Sequence, residues 1–188
     1  MTQTTRKKRT ELRFDTPEDL VLFAHAINKL HNEQQRDLLV TLTNDIDLTD
    51  VAWVPIGNED IPFYGTFDGG GHSISGLHID KREGICCGLF GVCAGTVENL
   101  TVTGSITCVA ADVHSAAGGI VGNVQGHSTV SDCLNRGVMD ANEYDFEFLT
   151  LGDIVGRWEG ESVFLQSGRR DTLSGHRRTA SSMTKEER

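Results

Sequence analysis

The chain has 188 residues and a formal net charge of −10, and this length is enough for one domain with a hydrophobic core. Its 21 glycines and three prolines put the glycine content above the roughly 7% of an average protein. Residues 11–156 contain 22 acidic and 6 basic side chains, whereas residues 1–10 contain four basic side chains and no acidic one. An acidic body repels nucleic acid and attracts cations or basic proteins, so the composition argues against direct binding of DNA or RNA.

The N-terminal part predicts a tail followed by one helix. Residues 1–13 are polar and basic and are expected to form a flexible tail. Thr16 suits an N-cap, Pro17 suits the first helical position, and Asp19 stands where a capping-box acid would be. We therefore assign residues 14–36 to a capping helix. Its apolar residues recur at helical spacing and form one stripe that needs a surface to cover: Leu20, Phe23, Ala24, Ile27 and Leu30.

The next part has the patterns of short strands and tight corners. Residues 38–48 alternate between apolar and polar, which is the period of a half-buried strand. Phe63–Ile79 reads F-Y-G-T-F-D-G-G-G-H-S-I-S-G-L-H-I, with glycines between short alternating runs. Because glycine allows positive φ and close backbone approach, this spacing indicates corners between strands. We expect Ile74 to point inward, and Leu77 and Ile79 to return to that side after a glycine corner.

A repeat follows, with separations of 31 and 34 residues. The copies are G-L-F-G-V-C-A-G from Gly88, G-I-V-G-N-V-Q-G from Gly119 and D-I-V-G-R-W-E-G from Asp153. Stacked units of this kind bury their apolar faces against their neighbours. The glycines to which we assign a structural role are Gly65, Gly69, Gly70, Gly76, Gly88, Gly91, Gly95, Gly119, Gly122, Gly126, Gly156 and Gly160.

An alternating run follows each copy of the repeat, and its apolar residues are predicted to point inward. In the first run these are Val97, Leu100 and Val102. Their predicted counterparts in the second run are Val130, Cys133 and Val138.

The repeats resemble the GLUG repeat, and N-D-I-D-L and W-V-P-I-G-N resemble the coil that leads into such repeats. The resemblance covers roughly residues 16–163 and implies an all-β solenoid, a short right-handed parallel β-helix with an N-terminal α-helical cap. We place this β-helix at residues 37–166. Members of the family are usually regions of secreted or surface proteins, including adhesins, and the repeats are not known to be catalytic. Asp153 departs from the pattern, and residues 167–188 are predicted to form a flexible basic tail.

The five cysteines form an odd set without the spacing of a disulfide framework or a C-x-x-C motif. We expect small buried thiols: Cys86, Cys87, Cys93, Cys108 and Cys133. The basic N-terminus lacks a following apolar segment, and no run is long enough to span a membrane. As written, the chain is therefore typical of a reducing, cytoplasmic compartment, although the resembled family is usually secreted, and no membrane partner is expected.

Acidic side chains and histidines offer candidate chemical sites, but neither pattern is specific. Asp45, Asp47 and Asp68 could supply oxygen ligands to calcium, but short acidic side chains commonly cap turns, and no D-x-D-x-D-G loop occurs. The histidines lack an H-E-x-x-H motif: His25, His31, His72, His78, His114, His127 and His176. We predict no catalytic residue, no cofactor and no metal ligand.

The loop M-D-A-N-E-Y-D-F-E-F-L, between the second and third copies of the repeat, is the best interaction candidate. Its aromatic and acidic side chains alternate, so an extended segment would place them on opposite faces. The aromatics then either pack on the last coil or act as anchors for a partner. The candidate partner-binding residues are Asp140, Glu143, Tyr144, Asp145, Phe146 and Glu147.

Three functions are compatible with these features. The first is a non-catalytic interaction module that engages a protein with a basic surface, with possible self-association through the open C-terminal coil end. The second is an intracellular acidic inhibitor that blocks a nucleic-acid-binding enzyme as a surrogate for the phosphate backbone. The third, which is less favoured, is a polysaccharide-active enzyme, because β-helices also host such enzymes.

Overall fold

The computed structural model of the chain describes residues 9–81, 86–108, 115–141, 149–160 and 163–165. Its helices and strands, in chain order, are β1 (Thr10–Phe14), α1 (Pro17–Ile27), α2 (Asn32–Gln35), β2 (Leu38–Leu42), β3 (Ile46–Asp47), β4 (Thr66–Asp68), β5 (Ser73–Lys81), β6 (Cys86–Cys87), β7 (Phe90–Cys93), β8 (Thr96–Cys108), β9 (Ala116–Gly118), β10 (Val121–Val124), β11 (Thr129–Asn135), β12 (Val138–Ala141), β13 (Thr150–Gly152), β14 (Val155–Trp158) and β15 (Val163–Leu165).

The strands form a parallel β-solenoid. The largest sheet has the order β1-β2-β4-β8-β11-β15. Strands β5 and β12 also pair with β8, and β3 pairs with β5. Two three-stranded sheets have the orders β14-β10-β7 and β13-β9-β6. Neighbouring strands within the described ranges pair in parallel. Because β2, β4, β8 and β11 each begin a new coil, about four coils stack, which confirms the predicted all-β solenoid.

The strand register reproduces the sequence repeat. Val121 of β10 pairs with Phe90 of β7 on one side and with Val155 of β14 on the other. The two separations are those of the repeat, so Gly122 stacks between Gly91 and Gly156. The two-residue turn before each of these strands joins the two smaller sheets. We call this turn, together with the first two residues of the strand that follows it, the repeat corner.

The core runs along the inside of the coils as stacked columns of apolar side chains. Val40, Phe67, Val97 and Val130 occupy equivalent positions of four successive coils and are fully buried. Phe90 connects this column to the next one, since its ring centroid lies 5.3 Å from that of Phe67. Parallel coils therefore place like residues on like residues, and every coil depends on its neighbours for burial.

Helix α1 begins as the sequence predicts and ends at Ile27. Thr16 has extended backbone angles, its Oγ1 accepts a hydrogen bond from the Asp19 N–H at 3.3 Å, and it donates one to Asp19 Oδ2 at 2.8 Å. The apolar stripe is buried, and the Phe23 ring lies 5.2 Å from that of Phe14 and 6.1 Å from that of Phe63. The helix thus packs its predicted face onto the first coils.

Strand β1 differs from the prediction of a tail over residues 1–13. It pairs in parallel with β2, from Thr10 beside Leu38 to Phe14 beside Leu42. The segment T-E-L-R-F alternates, and its apolar residues pack on the core. The run of basic residues before it concealed this short strand. The proposed tail over 167–188 lies outside the described residues.

Val138 corrects the predicted set of inward residues. Val130 and Cys133 pair with Val97 and Leu100 as expected, but the partner of Val102 is Asn135. Val138 pairs with Ser105, and 66% of its surface is exposed. The reason is the corner at residues 136–137, after which the alternation changes phase, so that Met139 packs on the core instead.

The largest sheet also bends at a second place, before the corner at residues 136–137, and we call this second place the sheet bend. Asn99 of β8 and Asp132 of β11 stack there with φ of 54° and 51°. In the preceding coil, Gly70 and Gly71 also have positive φ, at 60° and 80°. The bend therefore depends on left-handed backbone conformations, which Gly, Asn and Asp adopt most readily.

Candidate interaction surface

One acidic side chain per coil lies at the sheet bend. Asp68 pairs with Glu98, and Glu98 pairs with Ser131, the residue before Asp132. In the first coil, Asp45 lies at the far end of the bend, where it contacts Ser73, the partner of Thr101. We call Asp45, Asp68, Glu98 and Asp132 the acidic ridge. Adjacent parallel strands are about 4.8 Å apart, so the paired residues Asp68 and Glu98 are direct neighbours, whereas Asp132 lies one register position further along its strand.

The first carboxylate of the ridge connects two coils. Asp45 Oδ1 accepts a hydrogen bond from the Ser73 N–H at 2.8 Å and lies 3.4 Å from His72 Nδ1. The Ser73 N–H holds the pKa of Asp45 below its ordinary value, and the nearby His72 contributes less. The side chain is nevertheless exposed. Asp45 is therefore an ionised group that solvent or a partner can reach.

The second carboxylate is tied to its neighbours in the bend. Asp68 Oδ1 accepts hydrogen bonds from the Gly70 N–H at 2.9 Å and from Asn99 Nδ2 at 3.0 Å. Nearby, Asp47 Oδ1 accepts from the hydroxyl and the N–H of Thr49, and the hydroxyl is the main cause of its lowered pKa. The interpretation as turn caps is confirmed for Asp47 and Asp68, whereas Asp45 binds the N–H of Ser73 in the next coil.

The other two carboxylates lie beside a buried thiol. The pKa of Cys133 is raised to about 12, chiefly by burial, and the negative charges of Asp132 and Glu98 contribute less. Glu98 is half-buried and Asp132 is exposed. The ridge thus ends with two neighbouring acids over the core of the third and fourth coils. The alignment of Asp68 with Glu98 was not visible in the sequence, because residues 69–72 lengthen the second coil.

The predicted histidine candidates are dispersed over the surface. His72 contacts Asp45, and His78 Nδ1 lies 2.8 Å from Ser105 Oγ on an exposed strand face. A nucleophile–base pair needs a third group that orients the base. Within the described ranges, the contact of His78 Nδ1 is with Ser105 Oγ, and this contact does not supply such a third group. His25, His31 and His127 are exposed. His114 and His176 lie outside the described residues.

Four of the five thiols are buried in the solenoid, as predicted, and Cys86 is half-buried. Burial raises the pKa of Cys93 and of Cys86 to about 12. Cys87 and Cys108 approach each other across the interior, with their sulfur atoms 2.9 Å apart. In the described part of the chain, no three His, Cys, Asp or Glu side chains cluster in a way that would hold a metal ion.

The predicted partner-binding loop is mostly outside the described residues. The backbone of Asp140 belongs to β12 and pairs with Thr107. Glu143, Tyr144, Asp145, Phe146 and Glu147 lie in the undescribed segment 142–148. Their role stays a prediction. Beyond them, Trp158 on the terminal strand β14 is 41% exposed.

Comparisons with known proteins give partial relatives. No protein-family profile and no solved structure matches the chain. A putative Gly-rich membrane protein of Evansella cellulosilytica is 36% identical over 107 residues, which are 53% of this chain and 11% of that protein. Halomucin of Haloquadratum walsbyi is 31% identical over 140 residues, 67% of this chain and 1% of that protein. The chain thus spans only a small part of either relative. Within the described residues, no helix has the length and apolar character needed to cross a membrane.

Proposed function

We propose that the solenoid is a right-handed β-helix of the GLUG-repeat kind and that α1 caps its N-terminal end. Support for the hand comes from the strong preference of parallel crossover connections for right-handedness. Support for the cap comes from the side chain of Asn28, just after α1. It donates to the Pro55 carbonyl at 3.0 Å and accepts from the Gly57 N–H at 2.7 Å, which attaches the helix to the first coil.

We propose that the chain is a non-catalytic interaction module, and that the acidic ridge with the loop at residues 140–148 engages a protein with a basic surface. The observation that carries this proposal is the succession of acids at or beside the sheet bend in four coils, with Asp68 paired directly with Glu98. Like charges on neighbouring strands repel, although water and salt weaken this repulsion between exposed groups. A basic partner would relieve this repulsion, and complementary charge raises both specificity and association rate.

The two relatives are consistent with a modular role. Each matches this chain over a small part of its own length. One is described as a membrane protein, so we propose that this chain, too, works beside membranes or surfaces as a unit that presents one face to a partner. The regular spacing of parallel coils suits such an extended recognition surface.

The test starts with a pull-down from the native host, using the full chain as bait, and measures the identified partner by calorimetry. The ridge variant carries Asp45→Asn, Asp68→Asn, Glu98→Gln and Asp132→Asn. We expect its affinity to fall by about tenfold or more, with weaker salt dependence, because the ridge charges are lost. A second variant lacks residues 140–148, and we expect it to lose affinity as well.

The matched control neutralises four exposed acids away from the ridge, Glu11, Glu18, Glu33 and Glu59, each changed to Gln. Both variants change the net charge equally, so a general charge effect would weaken binding in both. Equal affinity of the ridge variant and the parent chain would refute the proposed surface. Circular dichroism checks that the variants fold.

An alternative proposal is an acidic inhibitor that occupies the basic cleft of a nucleic-acid enzyme. The excess of 22 acidic over 6 basic residues in residues 11–156 favours it. The expected signature is competition with DNA or RNA that weakens steeply as salt increases. Inhibition that survives neutralisation of Glu143, Asp145 and Glu147 would exclude the loop as the mimic.

A further proposal concerns self-association through the C-terminal coil end. Strands β13, β14 and β15 are the last members of their sheets among the described residues. A terminal parallel strand presents hydrogen-bonding groups that another chain can pair with. Light scattering should then give a dimer that Trp158→Lys weakens, whereas a monomer at all concentrations would contradict this.

A further inference from the structure

We propose that Cys87 and Cys108 form a disulfide that cross-links two coils through the interior of the solenoid. The sulfur atoms lie 2.9 Å apart and both residues are fully buried. A disulfide has an S–S distance of about 2.05 Å, so the two sulfurs need to approach by only about 0.9 Å.

The fold holds the two sulfurs opposite each other. Cys87 belongs to β6, in the second coil, and pairs with Ala117 of the next coil. Cys108 ends β8 in the third coil, where it pairs with Lys81. The two strands belong to different sheets, so the bond would join one small sheet to the largest sheet. Regular strands on both sides fix the direction of each thiol.

The glycine of the repeat corner allows this approach. A Cβ on Gly122 would lie 2.9 Å from Cys87 N and 3.0 Å from Cys87 O. The absence of that atom lets β10 lie directly against β6. The corner therefore closes the coil tightly around Cys87.

The other buried thiols have different surroundings. Cys133 Sγ lies 3.2 Å from the Ser131 carbonyl oxygen, and Cys93 Sγ accepts from the Gly95 N–H at 3.4 Å. Cys86 neighbours Cys87 in sequence but is only half-buried. These three cysteines serve as internal controls for the pair.

The reaction is a two-electron oxidation by a small external disulfide such as oxidised glutathione. A thiolate of the pair attacks that reagent and releases one small thiol, and the second thiolate displaces the other. The two protons of the cysteines end on the two released thiols. Because both sulfurs are buried, exchange takes place while the coil is forming or locally open. Disulfides of this kind persist in oxidising compartments, in contrast to the cytoplasmic location that the sequence predicts.

The test refolds the full chain with oxidised and reduced glutathione or with a phosphine reductant, followed by alkylation in denaturant. We expect two fewer alkylated thiols after oxidative refolding. Cleavage after Glu and Asp separates residues 84–98, which contain Cys86, Cys87 and Cys93, from residues 99–112, which contain Cys108. Mass spectrometry should find these two peptides joined, and joined still in the Cys86→Ser and Cys93→Ser variants but not in Cys87→Ser.

The thermal stabilities of the oxidised and reduced forms of the same chain can be compared without any substitution. The bond would close a loop between residues 21 positions apart, so the oxidised chain should melt about 6–12 °C above the reduced chain. Alkylation of all five thiols after oxidation would overturn the proposal. So would a cross-link from 84–98 to the peptide with Cys133, or equal melting temperatures of the two forms.

Discussion

The repeat corner and the sheet bend turn the same coil but depend on different physical requirements. At the repeat corner, every copy has glycine at the same position, as Gly91, Gly122 and Gly156, because a Cβ there would lie too close to backbone atoms. At the sheet bend, Asn99 and Asp132 need only a positive φ. Lack of space admits a single residue type, whereas a left-handed backbone admits several.

The largest expected effect comes from filling the repeat corner. In Gly122→Ala, the new Cβ would lie 2.8 Å from Gly91 O and 2.9 Å from Cys87 N, and backbone atoms on both sides cannot move independently. We expect the free energy of unfolding to fall by about 3 kcal/mol, the upper end of typical overpacking costs. Urea unfolding followed by the fluorescence of the buried Trp53 measures this change. A loss below about 1 kcal/mol would mean that the corner has room to adapt.

The next effect comes from the sheet bend. Asn99→Ala places an alanine at φ 54° and removes the 3.0 Å hydrogen bond to Asp68. We expect a loss of about 2 kcal/mol, from left-handed strain and the lost hydrogen bond together. Asn99→Gly removes only the hydrogen bond and should cost about 1 kcal/mol less. If the alanine and glycine variants unfold at the same urea concentration, φ does not govern the bend.

This contrast explains what could be predicted from the sequence. Spatial exclusion produced the repeated glycines, and their spacing predicted the solenoid and the correct alignment of Gly91, Gly122 and Gly156. Burial imposed the alternation that identified Val97 and Leu100 as inward residues. These constraints act in every coil, so they leave a periodic pattern in the sequence.

The acidic ridge could not be predicted in the same way. Nor could the change in which side chains point inward after residues 136–137. The bend is formed by two glycines in one coil and by Asn99 or Asp132 in the next two, so no repeated letter marks it. Val138 was assigned to the core because nothing in the sequence shows that residues 136–137 shift the alternation. The approach of Cys87 to Cys108 likewise depends on how two sheets face each other.

A smaller effect is expected where a positive φ is present but space is not limiting. Gly126 has φ of 66°, and a Cβ on it would have no atom within 4 Å. Gly126→Ala should therefore cost only about 1 kcal/mol, the strain of a left-handed alanine. It carries the same substitution as Gly122→Ala, in the same repeat, so the two urea midpoints compare the cost of a steric clash at ordinary φ with the cost of a left-handed alanine in open space. Equal losses would remove the distinction between the two requirements.

The smallest effect concerns the charge that joins the first two coils at the sheet bend. The folded-state pKa of Asp45 lies below its ordinary 3.8, chiefly because the Ser73 N–H binds the carboxylate. The contribution of this ionised group is therefore present above 3.8 and is lost as the pH falls through the lower, folded-state pKa. Asp45→Asn should lower the urea midpoint slightly near neutral pH, and the difference from the parent chain should vanish in strong acid. Glu11→Gln, which removes an exposed charge away from the bend, is the control. A difference that persists in strong acid would show that the asparagine disturbs the packing of the bend rather than its charge.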